Sequence, residues 1–379
     1  MVELQLPTAK DENYRYVSLR DVAWTKQDST TVLKEVLPED WSSIDADQGL
    51  RVLLQGAYAK PQVLEDKDFK GVQLSVEARP VFEKFKDDFF CGLIGEEKTL
   101  VVKVPRGFNS KKVLRLSDVV ASGVPTTIHR CVIEVAEQVD LVIHNDLSNE
   151  KKANDHKSSF VSILHFEIAD ESRVKFFIDQ SLTTSTAFAF RHSAVVGKNS
   201  TLSYWGYHKG ASRGQHRVEC IVAGEGGHSE VKLGVRAQNK DAIDIWAQNY
   251  HNVKNTTSDT KVWNVLEDEA IVVFNGNIDI GIEGLYTQAY QSNKNLLLSD
   301  KAQVHSMPKL EISTDDVKCS HGATIASLDS DQLFYLQSRG IDGPTSEKIL
   351  VDAFGYTVLS EIPLGSVRNR YLGDEGDFL

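Results

Sequence analysis

Cysteine is scarce in this sequence, with four thiols among 379 residues, and none of them stands in a CxxC pair. That spacing excludes the common zinc-ribbon and thioredoxin-type motifs. The first residues contain no long apolar core, so we find no secretion signal and expect a cytoplasmic protein with free thiols. The four thiols belong to Cys91, Cys131, Cys220 and Cys319.

Basic charge is also limited, since 42 Lys and Arg stand against 54 Asp and Glu, which gives a net charge of −12. This balance disfavours nucleic acids and anionic membranes as partners, and no apolar run is long enough to cross a bilayer. The sequence has no GxxxxGK[ST], GxSxG or HExxH motif, so nothing indicates a P-loop NTPase, an α/β-hydrolase or a zinc protease. We therefore expect a protein that is not an enzyme.

Short runs rich in Val, Ile, Phe and Tyr recur from about residue 99 to residue 328, with period-two alternation and no helical periodicity. Polar or acidic turns precede new runs, for example at residues 169–172, 197–200 and 267–270. The turns follow one another at roughly 30 residues, a spacing typical of repeat architectures, without hairpin signals between paired strands. This pattern favours a β-solenoid, with a sandwich or a barrel as the alternative.

Helix signals lie at both ends of the chain. Residues 29–37 and 78–90 are helical candidates beside a strand candidate at 50–58. Near the other end, Asp329 begins a predicted helix over residues 332–339. Pro344 opens a second helix, which Gly355 ends or kinks. We predict three regions: a mixed helical region at 1–95, a β-helix core at 96–328, and a helical region at 329–379.

Cys319 and His321 stand two residues apart in a segment that we expect to be extended. Alternation places them on one strand face, where a thiol and an imidazole together suit iron or zinc better than magnesium or calcium. Two ligands do not complete a metal site. The competing interpretation is a buried thiol and a histidine bonded to a backbone carbonyl. Cys220 lies in an apolar run, where a core residue and a sulfur acceptor are both open interpretations.

The segment around this pair resembles a known signature. Residues 308–312, 315–324 and 333–341 are similar to the core signature of the SufB/SufD family of the SUF system for iron–sulfur cluster assembly. Weaker similarity extends to residues 273–278 and 293–299, and to residues 12–16, where Tyr14 replaces a family tryptophan. The resemblance implies a right-handed parallel β-helix flanked by N-terminal α/β and C-terminal helical regions.

The family has two branches, and Gly322 follows the motif histidine where SufB-type chains carry a glutamate. Together with the short length, this makes the chain resemble the SufD-type branch. The resemblance implies a non-catalytic scaffold that pairs with a SufB-type chain, shares a transient iron or iron–sulfur cluster with it, and holds none tightly alone. His321 would contribute to the cluster site, with Cys319 as a second candidate.

The C-terminal helices would recruit a SufC-type ATPase. The residues expected to carry this contact are Leu333, Phe334, Tyr335, Arg339, Ile349 and Phe354. A homodimeric scaffold that assembles clusters alone is one alternative. A β-helix carbohydrate-active enzyme is another, although the sequence has neither an export signal nor convergent carboxylates for it.

Overall fold

The computed structural model describes residues 48–54, 62–64, 67–79, 88–93, 99–120, 125–149 and 157–360, with Val22, Trp24 and Phe82 as single positions. The helix expected over residues 29–37 and the motif at residues 12–16 lie outside this part of the chain. The described strands are β1 (Gln48–Leu54), β2 (Gln62–Leu64), β3 (Gln73–Glu77), β4 (Thr99–Val104), β5 (Asn109–Val120), β6 (Thr126–Val135), β7 (Asp140–Asn149), β8 (Ser158–Ile168), β9 (Arg173–Leu182), β10 (Thr186–Val196), β11 (Thr201–Gly210), β12 (Arg213–Val222), β13 (His228–Ala237), β14 (Ala242–His251), β15 (Thr257–Leu266), β16 (Ile271–Ile280), β17 (Gln288–Leu297), β18 (Gln303–Ile312) and β19 (Lys318–Ser327). The α-helices are α1 (Ser330–Ser338) and α2 (Gly343–Leu359), and short 3-10 helices lie at Lys67–Phe69 and Cys91–Leu93.

The strands form two sheets that the chain visits in alternation. The first sheet has the order β19-β17-β15-β13-β11-β9-β7-β5-β1-β2, and the second has the order β18-β16-β14-β12-β10-β8-β6-β4-β3. From β5 and β4 onward each strand pairs in parallel with the strand two places later, about 30 residues further along. The result is a β-solenoid, as the sequence predicts, and it has about seven turns.

The connections between the two sheets repeat the same backbone conformation. Glu171, Asn199 and Asn255 adopt positive φ angles of 56°, 51° and 58°, which asparagine tolerates better than most residues. Adjacent serines stack between turns, since Ser172 N donates to Ser200 Oγ at 3.0 Å. The polar turns predicted at residues 169–172, 197–200 and 267–270 are therefore confirmed as the corners of the solenoid.

The interior of the solenoid changes character along its length. Alternate residues of each strand point inward, and in the first turns they are mainly Leu, Ile, Val and Phe. In β15 and β17 the inward positions include Asn264, Gln291, Asn293 and Asn295, which are all buried. On the first sheet, some of the apolar inward residues are therefore replaced by buried amides near the C-terminal end.

Three local predictions differ from the structure. The described residues within 78–90 are not helical, because Phe82 and Phe90 pack separately against the second sheet instead of forming one helical stripe. Two of the short apolar runs, at residues 270–274 and 278–282, predict separate strands, whereas most of both runs lies in the single strand β16 (Ile271–Ile280). α2 continues through Gly355 to Leu359.

Arg191 fastens the segment at residues 88–93 to the outer face of the second sheet. Its side chain is fully buried, its Nε donates to Asp88 Oδ2 at 2.7 Å, and its guanidinium lies 4.7 Å from the centroid of the Phe90 ring. Removal of the guanidinium leaves a desolvated carboxylate without its cation, which typically costs about 3–5 kcal/mol.

We expect Arg191→Ala to lower the free energy of unfolding by that amount, about 3–5 kcal/mol, in urea denaturation. The matched control is Arg173→Ala, because Arg173 pairs with Asp140 at 2.9 Å on the exposed surface. Exposed pairs contribute about 1 kcal/mol or less. Equal losses for the two variants would contradict the role of Arg191.

Candidate functional site at the end of the solenoid

Cys319 and His321 lie on β19, which is the edge strand of the first sheet. Cys319 pairs in register with Ala289 and His321 with Gln291, and both of these residues are buried on the inward face of β17. The thiol and the imidazole therefore share the inward face of the last turn, as alternation predicts. Cys319 is half-buried beside Leu310 and Val317, and His321 is exposed.

The last turn is open. On β19 Ile325 is 54% exposed, although its in-register neighbour Asn295 on β17 is 1% exposed. Among the described residues no strand pairs with the outer edges of β18 and β19. A solenoid normally protects such an edge, because unpaired strands recruit other chains.

The thiol and the imidazole at this end would not form a metal site by themselves. Sulfur and imidazole nitrogen are ligands that iron accepts. Burial raises the pKa of the Cys319 thiol, while a hydrogen bond with the Ala289 backbone opposes the shift. Within the described part of the chain, no cluster of three or more His, Cys, Asp or Glu side chains could hold a metal ion. Further ligands would have to come from outside the described residues or from a second chain.

Gln291 was not predicted from the sequence and lies directly below His321 in the ladder. It is 3% exposed, and neither Oε1 nor Nε2 has a hydrogen-bond partner. A Cβ at Gly276 would lie 2.3 Å from Gln291 Nε2, so the glycine makes room for this amide. A glycine inside a strand is a sequence signal of such a close approach.

Several buried amides below the open end bond one another, although Asn264 Oδ1 has no hydrogen-bond partner. Asn264 Nδ2 donates to Asn295 Oδ1 at 2.7 Å. Asn295 Nδ2 in turn donates to Asn293 Oδ1 at 2.7 Å and to the Thr324 carbonyl of β19 at 2.9 Å. These amides therefore tie the final strand to the turn beneath it.

The C-terminal helices begin where the sequence predicts. Asp329 Oδ1 accepts from the backbone N–H of Asp331 and of Gln332, at 2.8 and 3.2 Å, and so caps α1. The residues expected to bind a partner divide into two groups. Phe334, Tyr335, Arg339 and Ile349 are exposed, and Leu333 is half-buried. Phe354 packs instead with Val351 against Val265 and Leu296 of the chain's own first sheet.

Cys220 lies in the solenoid core and is fully buried. Burial, with a smaller contribution from the charge of the neighbouring Glu219, raises the pKa of its thiol to about 12. The thiolate is the nucleophilic form of cysteine, so this environment disfavours sulfur chemistry. The structure thus favours the interpretation of Cys220 as a core residue.

A row of hydrogen-bonded, buried histidines inside the solenoid was also not predicted, and we call it the histidine chain. His208 Nδ1 bonds Gln180 Oε1 at 3.1 Å, and its Nε2 bonds His216 Nδ1 at 2.7 Å. His216 Nε2 bonds the Tyr204 hydroxyl at 2.8 Å, and that hydroxyl also contacts His192. The members come from β9 to β12, so only their inward register positions could have indicated the cluster.

The amide orientation of Gln180 determines which atom donates in each hydrogen bond of the histidine chain. Its Nε2 donates to the Lys209 carbonyl, so its Oε1 accepts from His208 Nδ1–H. His208 Nε2 must then accept from His216 Nδ1–H, and Tyr204 must donate to His216 Nε2. All of these bonds form with neutral imidazoles. Burial accordingly lowers the pKa of His192 and of His208 to about 3, and that of His216 well below its ordinary value.

The fold defines the class of this chain: a parallel β-helical protein with an open last turn, on which Cys319 and His321 share one strand face. Residues 119–354 match the family model described as the SufBD core domain of the SUF system for FeS cluster assembly. The match covers more than half of the chain, which therefore belongs to the SufBD family of iron–sulfur cluster assembly proteins. The family is generally non-catalytic.

Individual relatives agree with this assignment. The iron–sulfur cluster assembly protein SufD of Escherichia coli is 25% identical over 369 residues, which are 92% of this chain and 84% of that protein. SufD of Bacillus subtilis is 25% identical over 235 residues, or 58% of this chain and 54% of that protein. A SufBD family protein of Synechocystis is 42% identical over 106 residues, or 28% of this chain and 23% of that protein.

Among the described residues no helix is both long and apolar enough to span a membrane.

Proposed function

We propose that this chain is a SufD-type scaffold subunit whose open end pairs with a SufB-type chain and shares a nascent iron–sulfur cluster with it. The observation that carries the proposal is the position of Cys319 and His321 on the inward face of an uncovered last turn. An iron–sulfur cluster needs more than these two ligands. A second chain that pairs with the open strand edge could supply the others.

The residue after the motif histidine supports the assignment to this branch. Gly322 lies on the outward face, in register with Ser292. A Cβ at this position would meet nothing within 4 Å. The packing of this chain therefore does not require glycine here, and the absence of the SufB-type glutamate leaves His321 without an acidic neighbour on its C-terminal side.

The helical pair α1 and α2 supplies the proposed contact with a SufC-type ATPase. Phe334 is 73% and Tyr335 is 57% exposed, and the Arg339 guanidinium lies 5.2 Å from the Tyr335 ring centroid. Exposed aromatic and arginine side chains are the residue types that dominate protein interfaces. α2 is held against the first sheet by Val351 and Phe354, so it can transmit motion of the ATPase to the solenoid.

A homodimeric scaffold is the second candidate, because two copies of the same open end could cover each other. A carbohydrate-active enzyme is no longer needed to explain the fold, since the family match accounts for the β-helix. The two scaffold proposals differ in the chain that covers the open end, which is a SufB-type chain in the first and a second copy of this chain in the other.

The test is capture of partners by the tagged full chain, co-expressed with the SufB-type and SufC-type subunits of its own host. We expect a complex with both. Ile325→Glu places a charge at the open end and should weaken capture of the SufB-type chain by about 30-fold or more, without loss of the ATPase. The double substitution Phe334→Ala and Tyr335→Ala should weaken capture of the SufC-type ATPase and leave capture of the SufB-type chain unchanged.

Two matched controls test whether an added charge or a lost aromatic side chain weakens capture at any exposed position. Val76→Glu adds the same charge to an exposed position of β3, at the opposite end of the second sheet, and Tyr290→Ala removes an exposed aromatic from β17. Both should bind like the wild type. Self-association through the open end, with neither partner captured, would contradict the proposal and favour the homodimer.

A further inference from the structure

Gln291 has an unusual environment for a buried amide. It belongs to the inward face of β17, it is 3% exposed, and both of its side-chain polar atoms are without a hydrogen-bond partner. Among the described residues it is the one side chain with two such atoms. Desolvating an amide without a compensating hydrogen bond is unfavourable, so the position calls for a partner.

The neighbours of Gln291 leave few candidates for that partner. Gly276 on the facing sheet has no side chain. In the turn beneath, the Thr260 hydroxyl accepts from Asn249 Nδ2 at 2.9 Å and makes no hydrogen bond to Gln291. In the turn above, the in-register residue is His321, whose backbone lies about 4.8 Å away, the usual spacing of paired strands.

We propose that Gln291 is a positioning residue for His321. In solution the imidazole turns inward, and one ring N–H donates to Gln291 Oε1. This bond fixes the tautomer and directs the lone pair of the other ring nitrogen toward the open end. Ligating histidines commonly donate their second N–H in this way, and loss of the acceptor typically costs 10–100-fold in metal affinity. The metal part of this inference rests on the proposed function, whereas the pairing of the two side chains does not.

The test follows the His321 tautomer in the full chain labelled with ¹⁵N at histidine, by long-range correlation of ring protons with ring nitrogens. The His321 signals are assigned from their loss in His321→Ala. We expect one neutral tautomer in the wild type and a mixture of both in Gln291→Leu, which keeps the volume but not the hydrogen bond. Gln291→Glu keeps an acceptor oxygen and should restore the single tautomer.

Ser306→Ala is the matched control. Ser306 Oγ is also buried and unpartnered in the last turn, but it belongs to the second sheet. This variant should leave the tautomer of His321 unchanged. The same tautomer distribution in the wild type and Gln291→Leu, or an equal change in Ser306→Ala, would overturn the inference.

A second measurement separates this inference from the proposed function. Zn²⁺, used as the probe, is titrated into the purified complex, and Gln291→Leu should weaken its binding by about 10–100-fold. If the tautomer depends on Gln291 while Zn²⁺ binding does not, the pairing stands and the ligand role of His321 fails. If neither depends on Gln291, the positioning role is overturned, whatever the outcome of partner capture.

Discussion

His321→Ala is expected to abolish cluster assembly by the complex while the complex itself still forms. The imidazole is exposed at the open end, so its removal should lower the stability of the chain by only about 1 kcal/mol, the usual contribution of a hydrogen bond such as the one proposed with Gln291. Its nitrogen is the proposed ligand of this chain to the nascent cluster, and removal of a ligand leaves the shared site incomplete. The measurement is anaerobic reconstitution of the purified complex with iron and sulfide, followed by transfer to an apo-acceptor protein.

Two other variants sharpen this test. His305→Ala removes a histidine from the outward face of the neighbouring strand β18 and should assemble clusters normally. Cys319→Ser should have a smaller effect than His321→Ala, because the thiol is half-buried and its pKa is raised by burial. Normal assembly by His321→Ala, with intact gel-filtration behaviour, would contradict the metal role of His321.

The sequence predicted the solenoid because its corners are locally encoded. The turns that contain Glu171 and Asn199 need positive φ, and polar residues there interrupt apolar runs at a regular spacing. The helix α1 was predicted for a similar reason, since the Asp329 cap is a local signal. The segment around Phe82 and Phe90 was predicted wrongly because its structure at the described positions depends on contacts with the distant second sheet.

The site was predicted only in part. Alternation alone places Cys319 and His321 on one face of a strand. Whether that face points inward depends on the register of β19 against β17, which alternation does not give. Gln291 and the histidine chain were missed because their neighbours come from other turns of the solenoid, about 30 residues away in the sequence.

The buried histidine chain makes the free energy of unfolding sensitive to acid. In the unfolded state each histidine has a pKa of about 6.5, whereas burial holds the pKa of His192 and of His208 at about 3 in the folded state. Between these values the unfolded chain binds the extra protons, so stability is fully present above pH 6.5 and declines as the pH falls below it. Each histidine contributes about 1.4 kcal/mol per pH unit, and the three together contribute about 4 kcal/mol per unit.

His208→Gln is the variant that tests this account. A glutamine there can still donate to Gln180 and accept from His216, but it does not titrate, so the fall in stability below pH 6.5 should be shallower by about 1.4 kcal/mol per pH unit. Urea denaturation at several pH values between 4 and 8 measures it. The slopes must be compared between variants, because Asp244 acts in the opposite direction: burial raises its pKa to about 6, which adds stability at low pH.

Tyr204→Phe distinguishes protonation from packing. It removes the hydroxyl that joins His216 to His192 and leaves two buried ring nitrogens unpaired, at a cost of about 1–3 kcal/mol for each. All three histidines remain, so stability should fall at every pH while the slope stays close to that of the wild type. An unchanged slope in His208→Gln would show that the histidines do not carry the acid sensitivity. A shallower slope in Tyr204→Phe would show that the hydrogen-bonded chain, rather than burial, holds the imidazoles neutral.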